Sequence, residues 1–183
     1  MYPVLHGRAP ISRLLRLWAV IYVSNLVGTL VFARLVTIIG PALGVVERPV
    51  FGELALRIVN HPGWVIMLSG MLAGWLMGLL SWLVSAARDT TSQVLFVAIV
   101  TWSIGILHLH HAIVGSVEVL AGAFVHAVTP GNYFRALIWA TLGNAIGGVI
   151  FVALFKYSHV TRRAAEPAKV DLDEPQSTII STE

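Results

Sequence analysis

Three histidines and a carboxylate interrupt an otherwise apolar stretch of this chain. His108, His110 and His111 lie within four residues, and Glu118 follows seven residues after the last of them. The unperturbed pKa of histidine, about 6.5, suits reversible proton exchange near neutral pH. On one continuous helix, His108, His111 and Glu118 would share nearly the same face. The pattern is typical of a site that handles protons or small ions, with haem or metal ligation as a competing interpretation.

A structural role is the alternative for each of these residues. A polar cluster can be satisfied between packed helices, and His108 and His126 could each lie near a membrane boundary. Inside a membrane, an ionisable residue is costly and is by default a functional hypothesis. We therefore favour a functional role for His111 and a structural one for His108 and His126, and we leave Glu118 open.

The composition indicates that these residues lie in a membrane protein. Of the 183 residues, 57% are hydrophobic and only 11% are charged. Soluble domains carry about 25% charged residues, so this supply could not cover an ordinary soluble surface. A cytosolic enzyme, a nucleic-acid binder and a disordered protein are excluded as the main interpretation. The chain has no cysteine, which excludes disulfides, thiolate metal sites and cysteine nucleophiles.

Four apolar stretches predict an all-α integral membrane protein. A transmembrane domain over residues 1–157 would contain four spans, at 14–39, 63–87, 93–128 and 133–156. As one helix, the third span would be about 54 Å long, whereas the hydrocarbon core is about 30 Å thick. We therefore expect a break between Gly105 and Glu118, a recurring way to build a transport site. Residues 158–183 are polar and are predicted to form a disordered cytoplasmic tail.

The segment between the first two spans, 41–61, leaves two interpretations open. Glu53 and Arg57 are spaced at i and i+4 among apolar residues, which favours a short helix lying at the membrane interface. An ordinary loop is the other interpretation.

An internal repeat links the first span to the last. Four residues recur at a constant offset of 119: Arg16, Asn25, Gly28 and Phe32 correspond to Arg135, Asn144, Gly147 and Phe151. An odd number of crossings between the two segments would make the repeats inverted, as in many transporters. Two independent helices that both use small residues for close packing are the alternative.

The basic residues predict an orientation with both termini in the cytoplasm. Eight would lie inside and four outside, which agrees with the positive-inside rule. The inner set is Arg8, Arg13, Arg16, Arg88, Lys156, Arg162, Arg163 and Lys169, and the outer set is Arg34, Arg48, Arg57 and Arg135.

Two motifs carry a family resemblance. The run from His110 to Gly115, His-His-Ala-Ile-Val-Gly, is similar to the run that holds the pore histidine of the formate/nitrite transporter family. The run from Gly143 to Gly148, Gly-Asn-Ala-Ile-Gly-Gly, matches that family's Gly-Asn-x-x-Gly-Gly run. The resemblance covers Arg13–Tyr157 and implies that His111 is the pore histidine and that Asn144 contacts it.

The resemblance also implies a fold and an assembly. Family members have six helices in an inverted-repeat, aquaporin-like channel with broken helices, and they assemble as pentamers. The four spans here would match helices three to six, so that the chain lacks the first two helices. The departures are Ser69 for a family lysine, Gly74 for Asn, His110 for Glu, Gly115 for Asn and Glu118 for an apolar residue.

The function implied by the resemblance is transport of a small monovalent anion of the formate or nitrite type, linked to protons through a central histidine. A bare anion in an apolar medium costs far more free energy than its neutral acid. No cofactor, enzymatic activity or nucleic-acid partner is expected, and the location is the bacterial inner membrane. The candidate pore residues are His111, Asn144, Glu118, Gly115, Ser116, His110, Asn25 and Ser69.

Two alternatives stay open from the sequence. A membrane haem protein would need a second histidine on a facing helix, and the other three spans contain none. A truncated, non-transporting fragment of a transporter is the other alternative.

Overall fold

The chain folds into helices throughout the part that the structure, a computed structural model, describes. That part covers residues 10–165, with side chains as far as Ile150. Its six helices are α1 (Ile11–Ala42), α2 (Arg48–Val59), α3 (Gly63–Ala86), α4 (Thr90–Ile106), α5 (Ala112–Phe124) and α6 (Pro130–Ala165). No strand occurs within residues 10–165, which confirms the all-α prediction.

Two helices, α1 with 32 residues and α3 with 24, are long and apolar enough to cross a membrane by length and composition. Large apolar side chains on α1 are exposed, including Leu17, Val23 and Val27 at 55–57% of their surface. An exposed apolar surface of this extent is typical of a lipid-facing or partner-facing helix.

The C-terminal helix α6 is longer than the predicted span 133–156. It continues to Ala165, so residues 158–165, which were predicted to begin a disordered tail, are helical. The sequence offers no proline inside this stretch, and Pro167 is the first residue that would oppose continuation. Residues 166–183, the rest of the predicted tail, lie outside the described part of the chain.

Glycines bring the backbones of α3 and α6 into contact. A Cβ atom on Gly143 would collide with the carbonyl oxygen of Met67, and one on Gly147 would collide with that of Met71. From the other side, a Cβ on Gly74 would collide with the backbone of Asn144. Small residues permit such a close approach between helices. The contact fixes the position of Asn144 along the axis of α3.

The segment 41–61 contains a helix, as one of its two interpretations predicted, but the helix packs along α5. A Cβ on Gly52 would lie 2.9 Å from Ala127 Cβ, and one on Gly115 would lie 3.7 Å from Ile58 Cδ1. Residues late in α2 thus meet residues early in α5, so the two helices are antiparallel. The C-terminal end of α2 is thereby delivered to the start of α5.

The predicted break in the third span is present, at residues 107–111 between α4 and α5. Helix α4 ends in a Schellman motif, in which His108 N–H donates to Gly105 O at 3.1 Å and Leu109 N–H donates to Ile104 O at 3.0 Å. The φ angle of His108 is 49°, in the left-handed region that glycine adopts most easily. The chain therefore turns through a helix cap, and no proline is involved.

Candidate functional site

Asn144 of α6 fastens the start of α5 to the neighbouring helices. Its Nδ2 donates to His110 O and to Gly70 O, both at 2.9 Å, and its Oδ1 accepts the Ala112 N–H at 3.0 Å. Ala112 begins α5, where backbone N–H groups have no partner within the helix. The resemblance implied that Asn144 contacts the pore histidine itself; the hydrogen bonds instead hold the two peptide groups that flank His111.

His110 is buried and is held by three hydrogen bonds. Its Nε2 lies 3.2 Å from Ile58 O, and a carbonyl oxygen can only accept, so Nε2 carries the proton. Its Nδ1, 2.9 Å from Ser69 Oγ, then accepts the hydroxyl proton. The same Oγ accepts the His110 N–H at 3.0 Å. This network fits a neutral imidazole and gives Ser69, where the family resemblance placed a lysine, a positioning role.

Two further groups support His110, and the sequence interpretation did not assign either of them to the site. The His61 ring meets the His110 ring edge-on, with centroids 5.6 Å apart. Arg135 donates to His61 O at 3.1 Å and to Val59 O. A cation at the C-terminal end of α2 is favourable because the helix dipole is negative there. The repeat at offset 119 had marked Arg135, but not its partner.

His111 caps helix α5. Its Nδ1 accepts the Val114 N–H at 3.3 Å, an N-cap arrangement that serves one of the unpaired donors of the first turn. Because Nδ1 accepts this hydrogen bond, it carries no proton, and the neutral capping ring holds its proton on Nε2. Protonation of the ring would take place at Nδ1 and release the Val114 N–H. On one continuous helix His108 and His111 would share a face. In the structure they do not, because His108 lies in the turn before α5.

The break opens onto a cavity of about 840 Å³, which is called the pore cavity below. Of the predicted site residues, five line it: His110, His111, Gly115, Ser116 and Glu118. His108 lines it as well. Ser69 and Asn144 are not among its lining residues. They form hydrogen bonds with the backbone of the break and of the first residue of α5.

Glu118 reaches the pore cavity from the second turn of α5. It is half-buried and interacts electrostatically with His108. Arg57 and Glu53 of α2 line the same cavity. The Ser116 hydroxyl is not free to exchange a proton with a solute in the cavity. It is buried and donates to Ala112 O at 2.6 Å within α5.

Asn25, the repeat counterpart of Asn144, does not belong to this site. Its Nδ2 donates to Ile21 O at 2.8 Å within α1. It lines a separate, smaller cavity of about 380 Å³ between α1 and α5. The prediction of Asn25 as a pore residue rested on its spacing, which does not reveal the direction in which the helix face points. Within residues 10–165, no group of three or more histidine and acidic side chains is arranged to hold a metal ion.

Helix α5 with its capping residue His111, and helix α6 with its Gly-Asn-x-x-Gly-Gly run, can be compared with known proteins. The sequence profile of the formate/nitrite transporter family matches residues 1–158. The chain belongs to the formate/nitrite transporter family. That family consists of transporters, which are not enzymes. The membership and the apolar helices together support a membrane location.

The relatives of this chain have low sequence identity to it, but the similarity covers most of its length. The nitrite transporter NirC of Salmonella typhimurium is 26% identical over 170 residues, which cover 88% of this chain and 62% of NirC. NirC of Escherichia coli is 28% identical over 161 residues, covering 83% and 58%. The inner membrane protein YfdC of Escherichia coli is 24% identical over 162 residues, covering 88% and 51%. The chain thus spans between half and two thirds of the length of these relatives. No solved structure gives a significant match.

Proposed function

We propose that this chain takes part in the membrane transport of a small monovalent anion, of the formate or nitrite type, with proton exchange at His111. The observation that carries the proposal is the place of His111, which caps α5 at the helix break and lines the pore cavity. Membership of a transporter family and the similarity to proteins named nitrite transporter support the class of substrate.

The physics of an apolar cavity explains why a proton would accompany the anion. A bare anion in a low-dielectric medium costs many kcal/mol, whereas its neutral acid costs far less. The N-terminal end of α5 carries the positive end of a helix dipole and attracts an anion towards the break. There the protonated His111, whose Nδ1 then carries a proton and has released the Val114 N–H, transfers one ring proton to the anion. This leaves a neutral imidazole, which can cap α5 again, and a neutral acid that crosses. On the far side the neutral acid gives its proton to water, and water on the entry side protonates His111 again.

Glu118 sharpens this selectivity. Its carboxylate faces the same cavity, and Glu53 adds a second carboxylate from α2. Both repel an anion that has kept its charge and leave its neutral acid unaffected.

The architecture proposed with this function follows the family resemblance. Four spans, around residues 14–39, 63–87, 93–128 and 133–156, would match helices three to six of a six-helix inverted repeat. The whole protein would be a pentamer in the bacterial inner membrane, with both termini in the cytoplasm. The lengths and composition of α1 and α3 support two of these spans.

The decisive experiment measures formate and nitrite uptake into proteoliposomes between pH 5 and pH 8. His111→Asn keeps an N-cap residue for α5 but removes the titrating ring, and His111→Phe removes both. We expect each variant to abolish the pH dependence of uptake, and His111→Phe alone to lower stability as well.

His108→Asn is the matched control. Asparagine tolerates the left-handed conformation of this position, and the variant should keep the shape of the pH profile. Equal loss from His108→Asn and His111→Asn, or unchanged pH dependence in His111→Asn, would overturn the assignment of His111.

A further inference from the structure

A second cavity lies outside the pore cavity, between α1, α2 and the end of α5. Its volume is about 670 Å³. Three basic side chains from three different elements line it, namely Arg34, Arg48 and His126. We call it the arginine cleft. Glu53 contributes the one carboxylate of its lining, so the two guanidinium groups leave a net positive charge even with a neutral imidazole.

The length of α1 places this cleft at the surface of a bilayer. Arg16 and Arg34 bracket a stretch of α1 that contains no charged residue. The 18 positions from one to the other correspond to about 27 Å along a helix. The hydrocarbon core of a bilayer is about 30 Å thick. When α1 crosses the membrane, one arginine therefore lies near each boundary of the hydrocarbon core, and the long side chain of Arg34 reaches the headgroup region.

The side chains of the cleft are oriented for an anion. The guanidinium of Arg34 stacks on the ring of Phe124, with its Cζ atom 5.3 Å from the ring centroid. This cation–π contact holds the charge of Arg34 beside the cleft. Arg48 is the first residue of α2, so its charge adds to the positive end of that helix dipole.

His126 reaches the cleft through an unusual backbone conformation. Its φ angle is 61°, and it occupies the same position in a Schellman motif at the end of α5 that Gly44, with φ 67°, occupies at the end of α1. A glycine would adopt this conformation at lower cost. The histidine instead adds a hydrogen-bonding ring to a cleft that already holds two arginines.

We propose that the arginine cleft binds the phosphate group of an anionic phospholipid. A lipid fits better than free phosphate because the cleft lies at headgroup depth and because apolar side chains, including Ile38, Leu56 and Val125, line it beside the charges. These side chains would pack against the first methylene groups of the acyl chains. Basic pockets between membrane helices bind anionic headgroups at cytoplasmic surfaces, and the arginine cleft would do the same at the outer surface, where the predicted orientation places Arg34 and Arg48.

The test is native mass spectrometry of the full chain in detergent, titrated with phosphatidylglycerol or phosphatidylcholine. We expect tighter retention of phosphatidylglycerol and a loss of about 30-fold in its affinity in Arg34→Gln/Arg48→Gln, from about 1 kcal/mol per arginine. Arg57→Gln is the matched control, since Arg57 lies on α2 but lines the pore cavity, and it should keep the affinity within about twofold.

Three results would overturn the proposal. The first is equal retention of the two lipids by the wild-type chain, and the second is full retention of phosphatidylglycerol by folded Arg34→Gln/Arg48→Gln. The third is displacement of phosphatidylglycerol by millimolar inorganic phosphate, which would identify a site for soluble anions. If the double variant does not fold, Arg34→Lys/Arg48→Lys, which keeps both charges, must retain the lipid preference.

Discussion

The hydroxyl groups of Tyr22 in α1 and Thr141 in α6 lie 2.6 Å apart, and the two residues are separated by 119 positions. The same offset relates Asn25 to Asn144 and Gly28 to Gly147 in the sequence. When two segments are related by a two-fold axis, equivalent residues meet each other only where the axis passes between them. The contact is what an inverted repeat would produce, and it supports the proposed six-helix family architecture.

Glycine-to-alanine substitution should distinguish the two halves of this repeat. In Gly147→Ala, the new methyl group would collide with the backbone of Met71, and we expect a loss of about 1–3 kcal/mol from overpacking. Gly28→Ala, at the equivalent position of α1, meets no atom within 4 Å. It should be neutral or gain about 0.5–1 kcal/mol of helix stability. Thermal unfolding in detergent measures both, and equal midpoints would contradict the α3–α6 packing.

Asn144→Leu should destabilise the break. The substitution leaves Gly70 O, His110 O and the Ala112 N–H without their side-chain partner. Each unpaired buried group costs about 1–3 kcal/mol, and the Ala112 amide should exchange with deuterium faster than in the wild type. The matched control is Asn25→Leu, which loses one exposed bond within α1 and should change stability by less than about 0.5 kcal/mol. Unchanged exchange at Ala112 in Asn144→Leu would show that another contact holds the break.

Ser69→Ala should loosen His110. The variant removes the acceptor of the His110 N–H and the donor to Nδ1, and we expect about 1–3 kcal/mol of destabilisation by denaturant unfolding. Ser85→Ala, on the same helix, removes only an exposed bond to Ser81 O and should stay within about 0.5 kcal/mol of the wild type. Similar losses in the two variants would argue against the positioning role of Ser69.

The N-terminal cap of α4, formed by Asp89, should lose its stabilising effect in acid. Asp89 lies in the connection between α3 and α4 and caps α4. The Ser92 N–H and hydroxyl, at 2.8 and 2.7 Å, lower the pKa of its carboxyl below the ordinary 3.8. Because the folded state binds this proton less tightly than the unfolded state, the cap stabilises above pH 3.8, and this contribution falls as the pH drops through the lowered pKa.

Asp89→Asn keeps a capping residue that does not titrate. The difference between its thermal midpoint and that of the wild type should therefore change between pH 6 and pH 3, the wild type losing more as the pH falls. Asp89→Ala, which has no cap at any pH, should have the lowest midpoint at pH 6. Parallel curves for the wild type and Asp89→Asn would contradict the pKa assignment.

The sequence was sufficient to predict the break because the prediction rested on a length. An apolar stretch from 93 to 128 exceeds the thickness of a bilayer as a single helix, and glycine and histidine fall near its centre. The partners of the site residues could not be predicted in the same way. Asn25 and Asn144 occupy the same motif, yet one bonds to its own helix and the other bridges three segments. The difference arises from packing against α3, which local spacing does not encode.

The bonds of Asn144 also set an order of events during biosynthesis. Gly70 and the break at 107–111 leave the ribosome before Asn144 does, because the chain is made from its N-terminus. Helices α3, α4 and α5 are therefore made while the Ala112 N–H and the His110 carbonyl still have no side chain from α6 to bind. The arrival of α6 supplies Asn144 and closes the glycine contact with α3 in one step. Completion of the site is thus coupled to the docking of α6 against α3.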